Sequence, residues 1–215
     1  GSVFTAAELE GVKPIVAISG LPGFKASEQP VLARDKVRQV GELVAVCVAP
    51  TRAQAEDIAD AVEVDYEELP AVVDMLAARR PGSALLHEHW GDNVFLETFV
   101  DINMEAALDA PIRISKQIST SRQSMAPMEG RGTVAAWDSR KEQRVLYTGS
   151  QMPHIVRSGL SECLGLDEGQ IRVIAPDVGG GFGYKGLLLA EEVALAWLAI
   201  RTGHPVRWID DRREQ

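Results

Sequence analysis

Residues 179–186 read GGGFGYKG, and from Gly181 the run is a literal G-x-G-x-x-G, the spacing of a dinucleotide-binding turn. An apolar run, IRVIAP (171–176), precedes it, LLLAEEVALAWLAIRTG (187–203) follows at helical spacing, and Asp210 and Asp211 lie downstream. Strand, glycines, helix and a later acid make a nicotinamide site on Gly181, Gly183 and Gly186 one reading. Against it, Pro176 and Asp177 separate the strand from the glycines, and an anion there opposes a pyrophosphate. Tyr184 and Lys185 are also bulky for a turn that must admit a dinucleotide, and the unit closes the chain instead of opening a domain. The four glycines among 179–183 still require backbone to meet something closely. Successive N–H groups ahead of a helix make an anion-binding nest. A tight, purely structural turn is the plain alternative.

Working outward, PVRWID (205–210) predicts a short strand after a helix stopped by Gly203 and Pro205. MPHIVRSGLSECLGL (152–166) predicts a helix. Pro153 suits its first turn and Gly165 its C-terminal cap, and Val156, Leu160, Cys163 and Leu164 make its apolar face. TVAAWD (133–138) and RVLYTGS (144–150) are strand candidates around a turn, and the alternation in IRISKQIST (112–120) predicts another strand. In the first third, GELVAVCVAP (41–50) predicts a buried strand, and Thr51 with Gln54 fits a capping box. Ala55, Ile58, Ala59 and Val62 then follow at helical spacing, and Val62, Val64 and Tyr66 alternate, so residues 41–67 predict β-α-β. GLPGFKASEQP (20–30) is rich in turn formers and predicts a loop. The pattern weakens between about 70 and 110, giving a partition into 1–80, a linker at 81–109, and 110–215.

Composition narrows the function. Hydrophobic residues at 46% and charged residues at 25% are ordinary globular values. A net charge of −9 without a clustered basic footprint argues against nucleic acid as partner. No apolar segment reaches the length of a membrane span, and the N-terminus has no signal-type stretch. Cys47 and Cys163 both predict buried free thiols, consistent with a reducing, cytoplasmic compartment. With no CxxC, the chain by itself builds neither a zinc site nor an iron–sulfur cluster. His87-x-His89 lacks a third ligand nearby and predicts an exposed loop pair.

Several long motifs occur together. SQMPHIVRSGLSECLGLDEGQIRVIAPDVGGGFGYKG (150–186), followed by PVRWIDDRRE (205–214), resembles the molybdenum-binding large subunit of the xanthine oxidase family. That family comprises xanthine dehydrogenases, aldehyde oxidases and aerobic carbon monoxide dehydrogenases. VGELVAVCVAPTRAQAEDIADAVEVDYEELPAVVD (40–74) resembles its a/b hammerhead domain. SMAPMEGRGTVAAWD (124–138) resembles its M-E-P-R-G segment, with Gly130 in place of the proline. The resemblance implies an α+β fold, a hammerhead-like domain followed by the first part of an α+β molybdopterin-binding domain.

It also implies a molybdopterin cofactor with molybdenum, often the cytosine dinucleotide form in bacteria. Gln151 matches the glutamine that donates to a metal oxygen ligand, beside the metal without ligating it. Phe182 and Gly183 match the element whose main-chain N–H groups approach the cofactor, and Gly180 and Gly181 allow that approach. Tyr184, at a position that is often small, is expected to line the substrate pocket. Gly186 stands where purine-oxidising members carry an acid, which weakens a xanthine assignment. The family's base glutamate is expected beyond Gln215, the hammerhead's first strands before Val3, and the 215-residue chain alone is expected to be inactive. The implied enzyme hydroxylates an aldehyde or N-heterocycle, or oxidises carbon monoxide. Its electrons pass to iron–sulfur ([2Fe-2S]) and FAD centres on partner subunits or absent regions, in a dimer of heterotrimers. The rivals are the nicotinamide-dependent dehydrogenase and a non-catalytic subunit-assembly module.

Overall fold

A computed structural model describes residues 1–99 and 111–214. The fold is α+β, and the chain divides into two compact units. One comprises residues 1–17, 27–71 and 125–215; the other comprises 18–26 and 72–124.

In the first unit, β1 (Ser2–Thr5) pairs antiparallel with β4 (Ala45–Val48), and the two-residue strands β2 (Ile15–Val16) and β3 (Glu28–Gln29) pair with each other. Helix α1 (Arg52–Asp60) begins at Thr51, whose hydroxyl accepts the Gln54 N–H at 3.3 Å. The Gln54 side chain meets that same hydroxyl at 3.0 Å instead of reaching back to the cap N–H. The four-stranded sheet contains β5 (Gly132–Asp138), β6 (Gln143–Thr148), β7 (Ile171–Ile174) and β8 (Val206–Ile209) in the order β7-β6-β5-β8. Only β6 and β7 run parallel as neighbours; β5 is antiparallel to both β6 and β8. Helices α3 (Pro153–Leu164) and α4 (Ala190–Thr202) pack on this sheet and on each other.

The helix ends follow from chemistry legible in the sequence. Pro153 occupies the first turn of α3, and Gly165 (φ 65°) and Gly203 (φ 69°) close α3 and α4 in the left-handed conformation. Val156, Leu160 and Cys163 on α3 and Val193 and Leu195 on α4 share one buried cluster with Ala135 and Leu146 of the sheet, and Leu198 on α4 is buried as well. The N-terminal segment shares this core through Ala6, Leu9, Val31 and Leu32, and the Phe4 ring meets Trp197 edge-on at 5.5 Å.

The second unit holds the short helix α2 (Met75–Ala78), capped by the Asp74 carboxylate, and a 3-10 turn at Glu88–Trp90. Asn93 ties it together: its oxygen accepts the Leu86 N–H and its amide donates to the Ala78 and Ala84 carbonyls. His87 stacks on Trp90 at 4.2 Å, and no trio of metal-binding side chains occurs among the described residues.

Several local expectations fail. Residues 62–66 and 112–120 alternate but form no strand, and the strand in 41–50 is confined to Ala45–Val48. Alternation yields a strand only where a second chain edge supplies hydrogen bonds. Ile112, Ile114 and Ile118 instead stand largely exposed. Residues 20–30, expected as loop, contribute β3 because Ile15–Val16 lies alongside as a pairing edge. Cys163 is buried as expected, with burial pushing its thiol to about 11, whereas Cys47 on β4 is only half-buried.

Candidate functional site

The chain leaves β7 at Ile174 and re-enters regular structure at α4, and the glycine segment lies between. Two consecutive turns shape it: the Tyr184 N–H donates to the Gly181 carbonyl at 2.9 Å, and the Gly186 N–H to the Gly183 carbonyl at 3.1 Å. Gly180 and Gly183 have φ of 95° and 88°, which side chains rarely tolerate, and Phe182 sits between them at 52°. A left-handed phenylalanine is costly. Its ring is 72% exposed, so packing does not recover that cost.

Gln151, just beyond β6, meets this loop directly. Its N–H donates to the Lys185 carbonyl at 2.8 Å, and its Oε1 accepts the Gly183 N–H at 3.0 Å. A Cβ placed on Gly181 would collide with that Oε1, so the carboxamide rests on bare backbone. With Oε1 engaged by Gly183, the amide nitrogen remains as the side chain's donor. Of the expected loop donors, Gly183 is therefore spent on Gln151. The N–H groups of Gly180, Gly181 and Phe182 have no partner among the described residues.

A second anchor joins two motifs fifty residues apart. One oxygen of Glu129, in the MEGRG segment, accepts both the Gly179 N–H at 2.7 Å and the Lys185 ammonium at 2.6 Å. Lys185 and the Gly179 N–H hold the Glu129 carboxyl below the usual glutamate range, so it is ionised near neutrality. The Lys185 side chain is buried and the Glu129 side chain partly open.

Beside the loop lies a buried cluster that sequence reasoning missed. Arg131 pairs with Glu191 at 3.0 Å and with Asp210 at 3.2 Å, between the rings of Tyr184 and Trp208, each 5.2 Å away. The other Asp210 oxygen is buried without a hydrogen-bond partner among the described residues. Tyr184, expected at the substrate pocket, lays its ring on Arg131, and burial raises its phenol pKa. At the start of α4, Glu192 accepts the Thr148 hydroxyl at 2.6 Å and the Leu189 N–H at 3.0 Å. Gly186 is constrained by the turn itself, since a Cβ there would lie 3.0 Å from the Gly183 carbonyl oxygen. The residues were visible in the sequence, but their pairing was not; only the coincidence of MEGRG with a lysine inside the glycine motif hinted at it.

The topology does not support a nicotinamide site. β7 and β8, the strands flanking the glycines and α4, lie at opposite edges of the sheet, whereas the dinucleotide fingerprint joins neighbouring parallel strands.

Residues 86–215 match the family described as molybdopterin cofactor-binding domain, and residues 2–70 match the a/b hammerhead domain of aldehyde oxidase and xanthine dehydrogenase. The chain belongs to the aldehyde oxidase and xanthine dehydrogenase family. It is 38% identical over 99% of its length to the nicotine 6-hydroxylase large subunit of Paenarthrobacter nicotinovorans, covering 26% of that protein. To the carbon monoxide dehydrogenase large chain of Hydrogenophaga pseudoflava it is 32% identical, covering 28% of that chain. All of it superposes on quinoline 2-oxidoreductase from Pseudomonas putida 86, with a TM-score of 0.91 and 40% identity over 28% of that chain. This aldehyde oxidase and xanthine dehydrogenase family chain thus spans about a quarter of the length of the curated relatives it matches. No helix among the described residues is long and apolar enough to cross a membrane.

The residues present fit a molybdopterin. The missing side chain of Gly181 seats Gln151, which carries a neutral amide donor, and the N–H groups of Gly180 to Phe182 have no partner among the described residues. Such a surface suits oxygen-rich, negatively charged ligand atoms.

Proposed function

We propose that this chain supplies one wall of the molybdenum cofactor site in a large subunit that hydroxylates an aromatic N-heterocycle. The carrying observation is the Gln151–Gly183 hydrogen bond, which occupies the carboxamide oxygen and leaves its nitrogen as a donor near the N–H groups of Gly180 to Phe182, which have no partner among the described residues. When bound, the cofactor supplies the oxygen-transfer and two-electron chemistry. Gln151 would donate to an oxygen ligand of the metal, and, being neutral, it would do so at every working pH. Gly180, Gly181 and Phe182 would hold the cofactor through their main chain. Tyr184 would shape the substrate side from its seat on Arg131, and the absence of a carboxylate at Gly186 disfavours purines.

The N-heterocycle is preferred because the identities to nicotine 6-hydroxylase and quinoline 2-oxidoreductase, 38% and 40%, exceed, by a small margin, the 32% and 36% to two carbon monoxide dehydrogenase large chains. The base glutamate, the [2Fe-2S] and FAD centres and any cytosine nucleotide binding would lie outside this chain, on further sequence or partner subunits. The 215-residue piece alone would be inactive.

The test is Gln151→Ala in the full subunit assembled with its partners. Molybdenum content should hold while kcat on a quinoline-type substrate falls roughly 100-fold, as for loss of one preorganised donor, with KM little changed. Turnover of carbon monoxide or benzaldehyde in preference to the heterocycle would refute the substrate class. Undiminished kcat in Gln151→Ala would refute the site.

A further inference from the structure

We propose that Lys185, held by Glu129, is a positioning residue that sets where the Gln151 carboxamide stands against the glycine loop. Its catalytic consequence rests on the role proposed for Gln151; its geometric content does not.

Lys185 acts from both ends. Its ammonium reaches Glu129 Oε2 at 2.6 Å, and its carbonyl accepts the Gln151 N–H at 2.8 Å and the Ser150 hydroxyl at 3.3 Å. The same Glu129 oxygen takes the Gly179 N–H at 2.7 Å, and the Glu129 N–H returns to the Gly179 carbonyl at 3.3 Å. Both ends of the curve from Gly179 to Lys185 therefore converge on one carboxylate, and between them Gly181 and Gly183 meet Gln151. The pair lies over Gly149, where a Cβ would come within 3.6 Å of the ammonium and 3.7 Å of the carboxylate. The segment's other hydrogen bonds among the described residues are its two internal turns and the one from Gly183 to Gln151, with the Tyr184 ring resting on Arg131. This segment has no ladder or helix bonds, and Phe182 and Gly183 are exposed. A lysine with a side chain 1% exposed is an expensive way to fill space, so its charge is there for its partner.

The chemistry predicts a specific failure. Lys185→Met keeps the buried stem and removes the charge; Glu129, with a side chain 43% exposed, stays solvated, so folding is spared. The loop then loses its tie, the Lys185 carbonyl drifts, and the carboxamide drifts with it. Glu129→Gln retains an oxygen for Gly179 and Lys185 and should fail less.

The experiment uses the assembled full-length holoenzyme. Hydrogen exchange in peptides spanning 149–152 and 179–186 should quicken about tenfold or more in Lys185→Met, and less in Glu129→Gln. Molybdenum content should hold, kcat should fall roughly 10- to 100-fold at nearly constant KM, and the paramagnetic resonance spectrum of the reduced enzyme should shift as it does in Gln151→Ala. The double variant Lys185→Met/Gln151→Ala should be no slower than Gln151→Ala alone. Unchanged exchange in Lys185→Met overturns the proposal, and so do multiplicative kcat losses in the double variant. Loss of molybdenum from Lys185→Met but not from Gln151→Ala also overturns it, since the pair would then hold the cofactor directly. If exchange quickens but Gln151→Ala leaves kcat and spectrum intact, the positioning stands and the proposed function falls.

Discussion

Glu129 at the glycine loop and Glu192 at the start of α4 make nearly the same contacts and have opposite electrostatics. Each accepts one backbone N–H, from Gly179 at 2.7 Å and Leu189 at 3.0 Å, and one side-chain donor at 2.6 Å. For Glu129 that donor is the Lys185 ammonium and the side chain is partly open; its pKa is lowered. For Glu192 the donor is the neutral Thr148 hydroxyl and the residue is buried; burial outweighs both hydrogen bonds and its pKa is raised. Contact geometry alone does not decide charge state; the partner's charge and access to water do. The loop is thus shaped by ionic and polar ties near solvent, whereas α4 is held by apolar burial that also engulfs a carboxylate.

The helix side should break hardest. Leu198→Ala, removing a side chain 1% exposed, should cost about 2–5 kcal/mol in denaturant unfolding of the chain. Glu192→Ala should cost about 1–3 kcal/mol by the same measurement, because the Leu189 N–H and the Thr148 hydroxyl lose their buried acceptor.

The pH profile sharpens the contrast. Glu192, with a raised folded pKa, stabilises fully below the ordinary glutamate value of about 4.3, and that contribution is lost as pH rises through the raised value. Glu129, with a lowered folded pKa, stabilises above that ordinary value and loses its contribution as pH falls through the lowered one. Urea midpoints across pH 3–8 should therefore change slope in opposite senses in Glu192→Gln and Glu129→Gln, with the smaller change in the solvent-screened Glu129. Matching slopes would break the comparison. Smallest in stability is Gly181→Ala, expected to cost about 1 kcal/mol because its new methyl must push aside Cγ, Cδ and Oε1 of the exposed Gln151 side chain. The same variant should displace the carboxamide, read as faster amide exchange at Gly183.

Much of this was legible in the chain. Pro153, Gly165 and Gly203 mark helix ends by constraints internal to one residue, and the apolar faces of α3 and α4 announce burial by spacing alone. Strands were legible only where neighbours exist. RVLYT and IRVI lie side by side as β6 and β7, while the alternating IRISKQIST stays exposed and pairs with no strand among the described residues. The glycine motif announced close backbone approach but not its object.

Sequence by itself determined the elements whose cause is local: turns that demand glycine, caps, and amphipathic faces, together with the long motifs that mark the family. Tertiary structure alone decided which residues meet. Placing β7 and β8 at opposite sheet edges withdrew support from the nicotinamide reading, and joining Glu129 to Lys185 and Gln151 to Gly183 built the site. Those pairings span tens of residues and depend on hydrogen-bond partners and dielectric, which are properties of position in space and not of order along the chain.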